Sequence, residues 1–265
     1  MRMATKHRPR KRFGQNFLQD HGVISQIIQA FDPDPKLAVV EIGPGKGALT
    51  MPLLQQLGVL HVIEIDTDLG QLLHDKCEGV GDLRLHIGDA LKFDFSQIQP
   101  APLQIIGNLP YNISTPLLFH LLKQLPNIEV MLLMLQKEVV DRICADDNES
   151  DYGRLSIMIQ SQCQVEKMFT VPPEAFTPTP KVTSAIVKLR PRKTQPLFIN
   201  DTLLFDQIVR QAFGQRRKTL RNALKGLVEE DCLRALSIAP TLRAENLSVE
   251  DYVNIANILF NQQNQ

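Results

Sequence analysis

A chain of 265 residues, 43% hydrophobic and 22% charged, has the composition of a folded protein of one or two domains, which excludes wholesale disorder. Its 29 basic and 29 acidic residues cancel, so no whole-molecule field draws a charged partner. The longest apolar runs, such as Val130 to Leu135, are strand-length and far short of the roughly 20 residues of a membrane span.

The chain begins with an acid-free segment, Met1 to Gln19, in which Arg2, Lys6, Arg8, Arg10, Lys11 and Arg12 crowd together. It is short, lacks an amphipathic apolar face and has no secretory core, so it reads as a basic arm of a mature cytoplasmic protein rather than a targeting peptide. From Leu37 onward, short β-type runs alternate with helical patterns. Strands are expected at Leu37–Ile42, Val59–Glu64, Leu83–Ile87, Leu103–Gly107, Glu129–Leu135, Cys163–Phe169 and Ser184–Leu189. Apolar residues at helical spacing, such as Leu49, Leu53, Leu54 and Leu57, or Leu117, Leu118, Leu121, Leu122 and Leu125, lie between. This alternation predicts an α/β fold, a mostly parallel sheet with helices on both faces. Pro172, Pro173, Pro178 and Pro180 exclude a helix between the last two strands, so that pair is expected to be antiparallel. After the polar stretch Arg190 to Asp201, amphipathic helices are expected at Leu203–Phe213, Lys218–Val228 and Val249–Leu259. The division is an α/β domain over 1–195 and a small all-helical domain over 196–265.

Chemistry concentrates at the ends of the early strands. Glu41-Ile42-Gly43-Pro44-Gly45-Lys46-Gly47 closes the first strand and opens a helix, and its glycines let backbone turn sharply and approach a ligand. The G-x-G-x-G spacing and the acid ahead of it do not suit a pyrophosphate; a cationic or zwitterionic ligand fits better. Glu64 ends the second strand, where a carboxylate can accept from both hydroxyls of a ribose, and Asp89 ends the third, where it can accept from an adenine amino group. Ligands of open parallel sheets bind at this carboxyl edge. Helix capping is the bland alternative for both acids, and it is compatible with a site.

Two further basic blocks stand out. Ala175 to Asn200 has no acid against Lys181, Lys188, Arg190, Arg192 and Lys193, and Gly214 to Lys225 carries Arg216, Arg217, Lys218, Arg221 and Lys225. Three basic segments in a neutral chain point to a face for a polyanion, the alternative being solvated surface. Cys77, Cys144, Cys163 and Cys232 lie far apart with no C-x-x-C pair, which argues against a disulfide framework or thiolate zinc site. His7, His21, His61, His74, His86 and His120 lack metal-ligand spacing and read as surface or packing residues, so no metal is expected.

Asn108-Leu109-Pro110-Tyr111 after the fourth strand resembles the N-L-P-Y of S-adenosylmethionine-dependent amino-methyltransferases. With it go Gly14-Gln15-Asn16-Phe17-Leu18, the Glu41–Gly47 loop and the segment from Phe176 to Ala185 with its P-x-P-K-V. Together they resemble the bacterial small-subunit rRNA adenine N6-dimethyltransferases, the kasugamycin-resistance dimethyladenosine transferase family. The resemblance implies a Rossmann-like methyltransferase fold of seven strands with a final antiparallel strand. It implies transfer of methyl groups from S-adenosylmethionine to two adjacent adenosines near the 3′ end of 16S rRNA in the small subunit or its precursor, by a monomer with no membrane role and a part in subunit biogenesis.

It also implies roles for single residues. The Asn108 side-chain oxygen and the Leu109 carbonyl would accept the two amine hydrogens of adenine, releasing a lone pair otherwise delocalised into the ring. Pro110 would aim the preceding carbonyl, Tyr111 would stack on the flipped base, and Phe176 would close its other face. Asn16 and Leu18 would meet the methionine end of the cofactor, Gly43 and Gly45 its backbone, Glu64 its ribose and Asp89 its adenine, with Asn108 beside the methyl group. Three alternatives stay open: a dinucleotide-dependent oxidoreductase, a large-subunit rRNA dimethyltransferase of the macrolide-resistance type, and a non-catalytic ribosome-assembly factor on this fold.

Overall fold

The structure is a computed structural model describing residues 16–193 and 198–264. The basic arm, Gly14, Gln15 and the expected boundary between 195 and 196 lie outside the described residues. The chain divides into two units, Met1–Val140 with Glu166–Pro191, and Asp141–Val165 with Arg192–Gln265.

The first unit is built on continuous apolar runs. Strands β2 (Val39–Ile42), β5 (Leu103–Asn108) and β6 (Ile128–Gln136) are buried along almost their whole length, the mark of parallel strands covered on both faces. They join β3 (Val59–Glu64), β4 (Asp82–Ile87), β7 (Cys163–Val171) and β9 (Ser184–Pro191) in one seven-stranded sheet of order β4-β3-β2-β5-β6-β9-β7. The pairings from β4 to β6 are parallel and β6–β9 is antiparallel, so the sheet is the one expected from sequence. Edge strand β4 has a neighbour on one side only and is exposed or half-exposed throughout. Between the strands run α2 (Thr50–Leu57), α3 (Thr67–Cys77) and α4 (Ser114–Leu122), and α1 (His21–Phe31) precedes them. The Asp20 carboxylate caps α1 by accepting from the Val23 N–H at 3.0 Å.

One element that matters for the site leaves no pattern in the sequence. Strand β1 (Phe17–Leu18) pairs antiparallel with β8 (Phe176–Thr177), placing Phe17 opposite Thr177 and Leu18 opposite Phe176. Two residues per strand are too few to leave a periodic pattern.

In the second unit, α6 (Arg154–Gln160), α7 (Thr202–Gly214), α8 (Leu220–Ala223), α9 (Glu230–Ala235) and α10 (Val249–Gln263) form the helical part, with α5 (Lys137–Cys144) crossing from the first. Residues 141–165, placed in the α/β domain from sequence, belong here: the Tyr152 hydroxyl donates to the Leu247 carbonyl at 2.9 Å and Arg154 is paired with Asp206. The helix expected over Lys218–Val228 is a single turn, α8, that ends at Ala223; turns follow it, with Gly226 in a left-handed conformation (φ 79°) that a continuing helix would not contain. Among the described residues no helix is long and apolar enough to cross a membrane, and the four cysteines are free thiols.

Several basic residues have internal duties. The Lys188 ammonium is buried and donates to the Ala30 carbonyl at 2.7 Å. Arg192 donates to the Gln160 carbonyl, and Arg216 binds the Glu245 carboxylate and the Ser150 carbonyl. These three are tied to groups within the protein, Arg216 while itself exposed, and Arg217, Lys218, Arg221 and Lys225 are exposed as well. His61 stacks on His86 with ring centroids 5.4 Å apart, and burial pulls the His61 imidazole down to about 4, so the pair is a neutral packing element.

Candidate active site

Parallel register brings the strand ends together. Ile42 pairs with Ile63 and with Gly107, and Glu64 with Ile87, so the residues that follow, Gly43, Ile65, Gly88 and Asn108, share one edge of the sheet. A cavity of about 210 Å³ opens at that edge. It is lined by Asn16, Leu18, Gly43, Gly45, Glu64 and Asp89 on one side of the expectation, and by Asn108, Leu109, Pro110 and Tyr111 on the other. Every expected site residue except Phe176 is therefore gathered in one place.

The glycine loop is shaped for contact. Gly43 and Gly45 have φ of 68° and 56°, a region L side chains rarely adopt, and a Cβ on Gly45 would sit 3.1 Å from the Phe17 ring. A Cβ on Gly43 would lie 3.6 Å from the Asn108 carbonyl oxygen and fill the strip between the loop and the N-L-P-Y turn. Phe17 thus sets the floor under the loop, and the Lys46 ammonium lies 4.4 Å from the centre of the same ring.

The carboxylates are buried and differently held. Glu41 is 2% exposed and accepts from the Thr50 hydroxyl at 2.6 Å. Burial, reinforced by the neighbouring Glu64 charge, pushes its carboxyl up to about 8. Glu64 accepts from the Asp66 N–H at 2.9 Å, and burial raises its carboxyl too, opposed by that backbone donor and those of Gly45 and Ile65. Asp66, not Glu64, caps α3. One Asp89 oxygen accepts from the Leu91 N–H at 3.0 Å, closing a turn. With Glu41 held largely protonated by its burial, Glu64 and Asp89 face one lysine in the lining, among the described residues, and leave the cleft an excess of acceptors that favours a cation or a hydrogen-bond donor. The residues present fit the expected cofactor: glycine backbone where a ligand must come close, carboxylate acceptors for hydroxyl and amino donors, and apolar Ile65 and Leu91 in the wall.

The N-L-P-Y turn follows β5. The Asn108 amide nitrogen donates to the carbonyl of Asn16, the residue before β1, at 3.4 Å, which turns the nitrogen that way and leaves the side-chain oxygen as the acceptor. Leu109 is 1% exposed and its N–H extends the β6 pairing by donating to the Met134 carbonyl at 3.2 Å. The Tyr111 hydroxyl lies 2.8 Å from the Ser184 hydroxyl.

Phe176 departs from expectation. It is 2% exposed, packed in the apolar core with Leu18 and Ile186, and is not part of the cavity lining. A large ring on a two-residue strand is driven inward by the area it buries, so here Phe176 braces Leu18 from behind instead of offering a face to a base. Sequence reasoning missed Thr50, Ile65, Asn112 and Ser184. Ser184 lies inside the proline-rich motif; Thr50, nine residues from Glu41, had no local signal.

Comparison with known proteins gives the same picture. Residues 6–261 match the family described as ribosomal RNA adenine dimethylase. The chain is 54% identical over 256 residues to the ribosomal RNA small subunit methyltransferase A of Chromobacterium violaceum, covering 96% of this chain and 97% of that one. It is 52% identical over 255 residues to the protein of that name from Aromatoleum aromaticum, covering 96% of each. Among solved structures it is similar to a dimethyladenosine transferase from Plasmodium falciparum (TM-score 0.82, 30% identity, 93% of this chain and 98% of that one). It is also similar to the 23S rRNA methyltransferase ErmE (TM-score 0.70, 25% identity, 92% and 100%).

Proposed function

This chain belongs to the ribosomal RNA adenine dimethylase family, and from that premise we propose that it dimethylates N6 of two adjacent adenosines near the 3′ end of 16S rRNA, in the small ribosomal subunit or its precursor, in the cytoplasm. The observation that carries the reading is the meeting of the glycine loop, the Glu64 carboxylate and the Asn108–Tyr111 turn around one cavity. The choice of small-subunit RNA is supported by relatives at 52–54% identity named for the small subunit, against 25% for the 23S enzyme.

When bound, S-adenosylmethionine would supply a methyl group on a sulfonium, and its transfer to the adenine nitrogen would exchange a C–S bond for an N–C bond, with the electron pair left on sulfur and one amine proton released to solvent. Gly43 and Gly45 would bring backbone against the donor, Glu64 would accept from its ribose hydroxyls, Asp89 would accept from its adenine amine, and Asn16 and Leu18 would border its methionine end. Asn108 and Leu109 prepare the nucleophile. An exocyclic amine conjugated to a purine is planar and poor in lone-pair density. Two acceptors placed off that plane, the Asn108 side-chain oxygen and the Leu109 carbonyl, favour a pyramidal nitrogen with its lone pair aimed at the methyl carbon. Pro110 fixes the turn that presents them, and Tyr111 offers a ring for the base to stack on. No general base is required, since the amine proton becomes acidic only once the nitrogen is alkylated. Positioning therefore carries most of the rate enhancement.

The test is to incubate the protein with methyl-labelled donor and undermethylated small subunits and map the modified bases. Dimethyladenosine at two adjacent 16S positions is the expected result. Label only in 23S RNA, or none in either, overturns the reading.

A further inference from the structure

Tyr111 is fixed at both ends of its side chain. At the backbone end, its carbonyl accepts from the Ser114 hydroxyl at 3.0 Å, tying it to the first turn of α4. At the ring end, its hydroxyl meets the Ser184 hydroxyl at 2.8 Å. Ser184 is fully buried, opens β9, and sits opposite Gln136 in the antiparallel β6–β9 pair. The next residue back, Thr183, accepts the Lys137 N–H at 2.9 Å, so the anchor itself is rigid. Because the phenol oxygen lies on the Cβ–Cγ axis, holding it fixes χ1 and the line along which the ring lies. Only rotation about that line remains free.

We infer that Ser184 is a positioning residue for the reaction, acting through Tyr111, and that its influence falls mainly on the second of the two methyl transfers to each adenosine. The inference rests on the function proposed above. In the first transfer N6 carries two hydrogens and engages two acceptors, the Asn108 side-chain oxygen and the Leu109 carbonyl. Formation of the first N–C bond, with cleavage of C–S and loss of one proton, leaves N6 with one hydrogen. The monomethylated base therefore enters the second transfer with one polar tether fewer, and its orientation depends more on the ring beneath it. A ring freed from Ser184 can swing about χ1, and near-attack geometry tolerates little such movement.

The experiment compares wild type with Ser184→Ala, both full length, on undermethylated small subunits, following monomethyl- and dimethyladenosine with time by mass spectrometry. Cofactor affinity by calorimetry and melting temperature are measured alongside. Ser184→Ala is expected to slow the second transfer roughly 2- to 10-fold more than the first, the range for one neutral hydrogen bond, so that monomethyladenosine accumulates while cofactor affinity stays at the wild-type value. Tyr111→Phe removes the same bond from the other side and keeps the ring; it should give the same product ratio, and the double variant should add nothing. Ser184→Thr, which retains the hydroxyl, should restore dimethylation. Equal slowing of both transfers, or a wild-type product ratio in Tyr111→Phe, overturns the inference. Near-normal transfer by Asn108→Ala would instead overturn the underlying reading of the site.

Discussion

Three tyrosines serve two regions of this protein in opposite ways. In the second unit, Tyr152 and Tyr252 are buried against Phe213, and their hydroxyls donate to the Leu247 and Ala244 carbonyls at 2.9 and 2.8 Å. Each of these two hydroxyls is consumed by backbone. At the sheet edge of the first unit, Tyr111 bonds another side chain and leaves its ring lining a cavity. Charge follows the same division. Asp206 in the second unit is held by Arg154 and Arg210, both at 2.6 Å, whereas Glu41 and Glu64 are buried with raised carboxyls. Burial alone does not mark a site. What distinguishes the edge is buried polar groups whose remaining valence faces a cavity, a cost in stability that a scaffold would not retain.

The contrast can be tested from both sides. The largest effect is expected from Asn108→Ala, which should lower methyl incorporation by about 100- to 1000-fold, the scale for loss of one preorganised polar group, while equilibrium cofactor binding stays near normal. Next, Glu64→Ala should weaken cofactor binding roughly 10- to 100-fold, as for loss of hydrogen bonds to a charged group; calorimetry showing unchanged affinity would remove its ribose role. In the other region, Tyr152→Phe should cost about 1–3 kcal/mol by stranding the buried Leu247 carbonyl. It should lower the melting temperature and leave activity per folded molecule unaltered; a loss of turnover without a loss of stability would erase the contrast.

The last prediction concerns Glu41, and its effect shows only as pH is varied. Its carboxyl is raised from 4.5 to about 8, so the folded state binds the proton more tightly than the unfolded chain. Stability from this group is complete below about pH 4.5 and is lost as pH rises through about 8. The melting temperature of the ligand-free protein, taken relative to Glu41→Gln, should decline across that window. A flat difference would show that Glu41 is charged without penalty.

The central strands were legible because a strand covered on both faces must be apolar throughout, and runs such as Val130–Leu135 show that in one dimension. The glycine loop, Glu64, Asp89 and Asn108 were legible for a related reason: in a parallel sheet, residues that end successive strands must share an edge. Phe176 was misread because a motif specifies that a ring is needed without specifying which way it points. Its direction is set by the two-residue pairing with Leu18. The same limit hid residues 141–165, whose place beside α7 and α10 depends on single contacts such as Arg154–Asp206 and Tyr152–Leu247.

The sequence by itself determined the order of the strands along the chain and the residue types at their ends, which depend on periodicity and local spacing, and its motifs carried the resemblance to the family. The tertiary structure alone decided which partners meet across long separations: Asn16 with Asn108, and Ser184 with Tyr111. A hydrogen bond between residues 73 positions apart leaves no pattern in one dimension. It exists only once packing has fixed both backbones to within the few tenths of an ångström that such a bond requires.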